Sequence, residues 1–228
     1  MHYETVQIDL RGAEQMGEAC RQINPQCTVP ALRTEEGTLL TDNAAIAAYL
    51  KARYPEPPLM GRSPQDKADI ASWQWRGEFE GLMAVADALR NSSPAMVNRA
   101  LLGPMDYPQI PELGQRGLAR VQQFLVTLDD QLAGRDFIAA NQFSVADITA
   151  VVALDFARVV RIKPGEDLQH LARWRDGPAT GYVTLKRKRS RHHGVAAGGR
   201  GVPWGAIRTT SVTSSAAVPA GTSPPTRC

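Results

Sequence analysis

Apolar and polar residues alternate from Tyr3 to Leu10, with Val6, Ile8 and Leu10 on one side, and this period of two predicts a strand. A short helix is predicted over Glu14 to Ile23, closed by Asn24-Pro25. Residues Ala31 to Thr34 and Thr38 to Thr41 flank a Glu35-Glu36-Gly37 turn and predict a hairpin. Behind it, the spacing Ile46, Tyr49, Leu50, Tyr54 predicts a helix over Ala44 to Tyr54. The segment Pro55-Glu56-Pro57-Pro58 cannot continue that helix and marks a linker ending near Ser63.

From Pro64 to Arg175 the pattern changes to helical throughout. Leu82, Val85, Ala86 and Leu89 form one stripe, and Leu118, Val121, Leu125, Leu128 and Leu132 form another, both with the spacing of a packing face. Val145 to Val160 is apolar on most sides, which predicts a central helix surrounded by others, with Asp155 finding a partner or an edge. The expected architecture is therefore α/β followed by all-α: residues 1–55, then 62–177, then a tail over 178–228.

Charge separates the tail from the rest. The 228-residue chain carries a net +3. Residues 178–228 hold eight of the 26 Lys and Arg and no Asp or Glu, leaving 18 bases against 23 acids, a net −5, in the preceding part. The tail is rich in Gly, Ser, Thr and Pro and lacks a helical period, so disorder is expected there. Its run Lys186-Arg187-Lys188-Arg189-Ser190-Arg191 raises nucleic-acid binding, but no aromatic stacking platform accompanies it and a solvated segment is the better expectation. No apolar run has membrane-spanning length, and the N-terminus does not read as a signal peptide. Cysteines 20, 27 and 228 show no metal-ligand spacing, so no metal is expected, and they fit a reducing, cytoplasmic setting.

The chemistry concentrates at Val29-Pro30-Ala31-Leu32 and Asp42-Asn43-Ala44-Ala45-Ile46. A proline opening a strand has no amide to donate, so the carbonyl of Val29 is free to face a ligand backbone, and a cis bond at Pro30 suits that role. Asn43 is a favoured cap type for the helix behind it, whose first amides would point at an anion, while Asp42 would hold an ammonium. Singly, each residue fits an ordinary strand start or helix cap; together they describe a site for a small peptide. Phe143-Ser144-Val145-Ala146-Asp147-Ile148 reads as a capping box with a hydrophobic staple, making Ser144 and Asp147 structural residues. Trp73, Trp75 and Phe79 offer ring surface for an apolar ligand, though such residues in a helical bundle more often serve a core or a dimer interface, and Arg76 is an anion contact on the same footing.

These motifs resemble the glutathione transferase family, of the bacterial, cytosolic type. The resemblance runs from about Tyr3 to about Asp176. It implies a thioredoxin-like N-terminal domain and an all-helical C-terminal domain. It also implies that Val29, beside Pro30, pairs with the cysteinyl unit of glutathione while Asp42 and Asn43 hold the γ-glutamyl end. Serine is commoner at the position of Asn43, and glycine at that of Cys27. By the same resemblance Trp73 and Arg76 lie on a helix lining the electrophile pocket, and the Ser144–Asp147 box serves folding.

The function implied is conjugation of the glutathione thiolate to an apolar electrophile, a detoxification reaction in a cytoplasmic homodimer, with a non-catalytic binding or assembly module as the alternative. In the family a Tyr, Ser or Cys after a preceding first strand supports the thiolate. That strand and helix are missing here, so the catalytic residue is unknown, the N-terminal domain is expected to be incomplete, and the strand at Val6 is expected to lack its neighbour. The tail is expected to be unrelated to the family, with the composition of a shifted reading frame.

Overall fold

A computed structural model describes residues 3–177 and the backbone of 210–213. The first compact unit contains the described residues of Met1–Pro55, Leu101–Tyr107 and Gly205–Cys228. It begins with β1 (Glu4–Gln7), shorter than the alternation from Tyr3 to Leu10 predicts. A single 3-10 turn at Glu14–Met16 and helix α1 (Glu18–Ile23) follow, in place of one helix over 14–23. Strands β2 (Leu32–Arg33) and β3 (Leu39–Leu40) form the expected hairpin, paired antiparallel with Leu32 opposite Leu40. Helix α2 (Asn43–Arg53) completes the strand, helix, strand, strand, helix order.

The sheet departs from expectation at one point. Strand β4 (Thr210–Thr213) lies between β1 and β2, giving the order β1-β4-β2-β3. It is antiparallel to β1 and parallel to β2. The strand at Val6 therefore has a sheet neighbour, contrary to the vacancy read from the sequence. The physical reason is that buried ladder amides and carbonyls need partners, and any extended segment can supply them through its backbone. These four residues belong to the span 178–228; the rest of the tail expected to be disordered falls outside the described residues. Cys27 is a free, buried thiol.

The second unit contains the described residues of Glu56–Ala100 and Pro108–Trp204. Helix α3 (Pro64–Arg76) starts at a reciprocal cap in which the Asp66 amide donates to Ser63 Oγ and the Ser63 amide donates to Asp66 Oδ2, each at 3.1 Å. It runs through a π-helical segment, Gly77–Leu82, into α4 (Met83–Arg90). The only helical turn in residues 91–110 is a 3-10 turn at Pro94–Met96, so the helix expected throughout Pro64 to Arg175 is interrupted. Pro94, Gly103, Pro104 and Pro108 break the helical period there. Helices α5 (Pro111–Gln131), α6 (Val145–Ala157) and α7 (Gln169–Asp176) complete the unit.

The core sits among α3, α5, α6 and α7, where Ile70, Leu128, Leu132, Leu154 and Leu171 are almost fully excluded from solvent. Asp155 of α6 meets Arg175 of α7 at 3.1 Å, the partner that its place in an apolar helix requires. Gly117 lets α5 approach α4: a Cβ there would lie 2.6 Å from the Ala88 nitrogen and 2.7 Å from the Ala84 oxygen. Among the described residues no helix is long and apolar enough to cross a membrane.

Candidate glutathione site

Asn24 builds the approach to β2. Only 5% exposed, it donates from Nδ2 to the Thr28 carbonyl at 2.8 Å and to Thr28 Oγ1 at 3.0 Å, while its Oδ1 accepts from the Gln26 amide at 3.1 Å. The Cys27 amide donates to the Asn24 carbonyl at 2.9 Å. One buried amide thus fixes both sides of the loop that delivers Val29 to the sheet. Cys27 takes a positive φ of 55° in that loop, the region glycine occupies most readily.

The Val29-Pro30 bond is cis, as the strand-opening role suggests. The ladder of β2 begins only at Leu32. Among the described residues none donates a hydrogen bond to the Val29 carbonyl. The hairpin then brings the second half of the site alongside. Because β2 and β3 pair antiparallel, the chain enters β2 and leaves β3 at the same end of the hairpin. Pro30 lies two residues before β2 and Asp42 two residues after β3, so both flank that end.

Asp42, rather than Asn43, is the N-cap of α2. It has an extended backbone, and its Oδ1 accepts the Ala45 amide at 2.7 Å; Asn43 is the first helical residue. Both are good cap types, but a carboxylate also meets the positive end of the helix dipole, which favours Asp42. Asp42, Asn43 and Ala44 are all exposed, and the amides of Asn43 and Ala44 have no acceptor among the described residues. A helix start with two open amides beside one free carboxylate oxygen is suited to an α-amino acid head: carboxylate to the amides, ammonium to Asp42.

Gln15, which the sequence does not single out, is 9% exposed in the same unit, and its Oε1 lacks a hydrogen-bond partner among the described residues. Its signal was faint, a glutamine in a polar stretch. Asn24 was legible only as the residue closing α1.

The remaining predicted residues lie in the helical unit. Trp73 is 8% exposed and packs in the core, with the Arg76 guanidinium 4.5 Å above its ring, so it offers a ligand little surface. Arg76 is held by Glu80 at 3.2 Å. Trp75 and Phe79 are the exposed aromatics, stacked with centroids 4.9 Å apart. Ser144 and Asp147 are fully buried at the start of α6, where the Ser144 amide and hydroxyl both donate to Asp147 Oδ2 at 3.0 Å. Asp147 Oδ1 accepts from the Ile138 amide and from Trp174 Nε1, each at 3.1 Å. Burial pushes its carboxyl above the usual carboxylate range, and these hydrogen bonds act against that push. Among the described residues no group of three or more His, Cys, Asp or Glu is placed to hold a metal ion.

The thioredoxin-like sheet and the helical domain that follows it in the chain each match a known family model. The glutathione S-transferase N-terminal domain model matches residues 1–53, and the C-terminal domain model matches residues 111–177. A crystal structure of a glutathione S-transferase domain-containing protein from Marinobacter aquaeolei VT8 is 30% identical with a TM-score of 0.66, covering 75% of this chain and 83% of that one. Glutathione S-transferase 2 of Saccharomyces cerevisiae is 32% identical over 148 residues, 64% of this chain. Probable elongation factor 1-gamma 1 of Arabidopsis thaliana is 30% identical over 179 residues, 75% of this chain. The chain spans 61% and 40% of the lengths of these two curated relatives. It belongs to the glutathione S-transferase family.

Proposed function

We propose that this protein binds glutathione through the Val29 backbone beside Pro30 and through the Asp42–Asn43 helix start, and conjugates it to a small apolar electrophile. In that reading residues 1–55 are the glutathione-binding domain, 62–177 the helical domain and 178–228 a basic tail. What supports it is the hairpin, whose entry carries a Val29 carbonyl without a donor among the described residues and whose exit leads to a helix start with two open amides and a carboxylate oxygen. Those groups complement the peptide bond, carboxylate and ammonium of a γ-glutamyl peptide.

Transfer requires the glutathione thiolate, against a free-thiol pKa of about 8.5. The sulfur attacks an electrophilic carbon, the new C–S bond forms, and the leaving group departs with the bonding pair. The group that supports the thiolate is unassigned in this reading. The protein works as a cytoplasmic homodimer in detoxification, with the exposed stripe of Trp75, Phe79 and Met83 as the apolar surface for a second copy.

The likeness to an elongation factor 1-gamma favours a second reading, a glutathione transferase-like binding or assembly module without turnover. Two assays on the full chain separate them. Retention on immobilised glutathione with turnover of a generic aryl halide supports the transferase; retention without turnover supports the module; loss of both removes the glutathione site.

A further inference from the structure

Strand β4 is unlike the rest of its tail. Residues 209–217 hold no charge and no proline, and β-branched Thr and Val predominate in Thr210-Ser211-Val212-Thr213, a composition suited to a strand. Every residue of β1 is matched by it: Glu4 with Thr213, Thr5 with Val212, Val6 with Ser211 and Gln7 with Thr210. On its other edge Leu32 is level with Val212 and Arg33 with Thr213. Position 212 thus bridges two strands that do not pair with each other. Among the described residues β1 has no other neighbour in this sheet.

Insertion of an extended segment satisfies two strand edges at once, mainly through backbone hydrogen bonds. One of those edges is β2, which begins three residues after Val29. We propose that the slot between β1 and β2 is a strand-acceptor site occupied by the chain's own segment 210–213, and that its insertion steadies the Val29-Pro30 side of the ligand site. The second half rests on the glutathione reading above; the first does not. Linkage makes the effect reciprocal, so a ligand bound at Val29 favours the inserted strand.

The test uses the full chain carrying Val212→Pro, which removes the central amide of β4. Hydrogen exchange at Thr5 to Gln7 and at Leu32 and Arg33 is expected to quicken about tenfold or more while α5 and α6 keep their protection, and glutathione affinity is expected to fall about tenfold. Unchanged exchange in β1 and β2 overturns the acceptor site. Quickened exchange with unchanged affinity overturns the coupling alone. A parent chain that binds no glutathione, with β1 still deprotected by the substitution, removes the glutathione reading and leaves the strand site standing. Should Val212→Pro not fold, a full chain with Thr5→Cys and Val212→Cys gives an independent readout. Oxidation is expected to join positions 5 and 212 within one chain, since facing residues on antiparallel strands lie within disulfide reach. Absence of that cross-link by mass mapping overturns the proposal.

Discussion

Asp42 and Asp147 are both carboxylates at helix starts, and solvent gives them opposite work. Asp42 is exposed and spends one oxygen on the Ala45 amide; the other is the oxygen proposed above to meet the ligand's ammonium. Asp147 is sealed from solvent and takes four donors. Because burial raises its carboxyl in the folded chain, the unfolded chain loses that proton first as pH rises from about 4. Its contribution to stability is therefore fully present below the ordinary carboxylate pKa and declines as pH climbs through the raised folded value. Asp147→Asn is expected to abolish this decline while lowering stability by about 1–3 kcal/mol at acidic pH, since an amide nitrogen, unlike the hydroxyl of a protonated carboxyl, cannot accept from the donors it faces. Urea midpoints measured across pH 4 to 7 check it, and a parallel pH dependence in parent and variant would count against the burial argument.

The residue scale was also where sequence reading was least exact. Pro30 and the Ser144–Asp147 spacing carry their geometry in one or two residue types. The choice between Asp42 and Asn43 as cap does not, because two good cap types stand side by side and only the backbone turn decides. Asn24 was hidden for a different reason: its hydrogen bonds reach forward into the loop, and no periodicity announces them.

At the scale of elements, amphipathic helices were legible and short strands were not. Val121, Leu125, Leu128 and Leu132 of the second stripe are buried as their spacing requires, whereas Leu118 at its end is 37% exposed. Strands of two residues, such as β2 and β3, are set by pairing more than by alternation, so their bounds could be read only through the turn between them. β4 was invisible because it lies far along the chain in a region of low hydrophobicity. Close helix approach was equally silent in the sequence, since Gly117 reads as a simple interruption of α5. Gly117→Ala should force α4 and α5 apart, with a destabilisation of about 1–3 kcal/mol despite the better helix propensity of alanine. Thermal unfolding measures it, and a rise in midpoint would mean the two helices have slack the contact distances deny.

For the molecule as a whole, the unbalanced charge and the exposed aromatics point outward. Trp75, Phe79 and Met83 recur every fourth residue and are roughly half exposed, with Arg120 lying 4.6 Å from the Phe79 ring. On the homodimer proposed above, Trp75→Glu combined with Phe79→Glu should convert dimers to monomers in sedimentation velocity with little loss of helicity; a parent chain at monomer mass, or a variant unchanged at dimer mass, would contradict that interface. The ligand site itself is decided by calorimetric titration of the full chain with glutathione, beside the same chain carrying Asp42→Ala. Saturable binding by the parent, weakened about 10- to 100-fold in the variant, is the expected result for a charge-assisted contact to the γ-glutamyl ammonium. Equal affinity in the two chains, or no heat from the parent at all, would contradict the assignment of the hairpin end as the glutathione site.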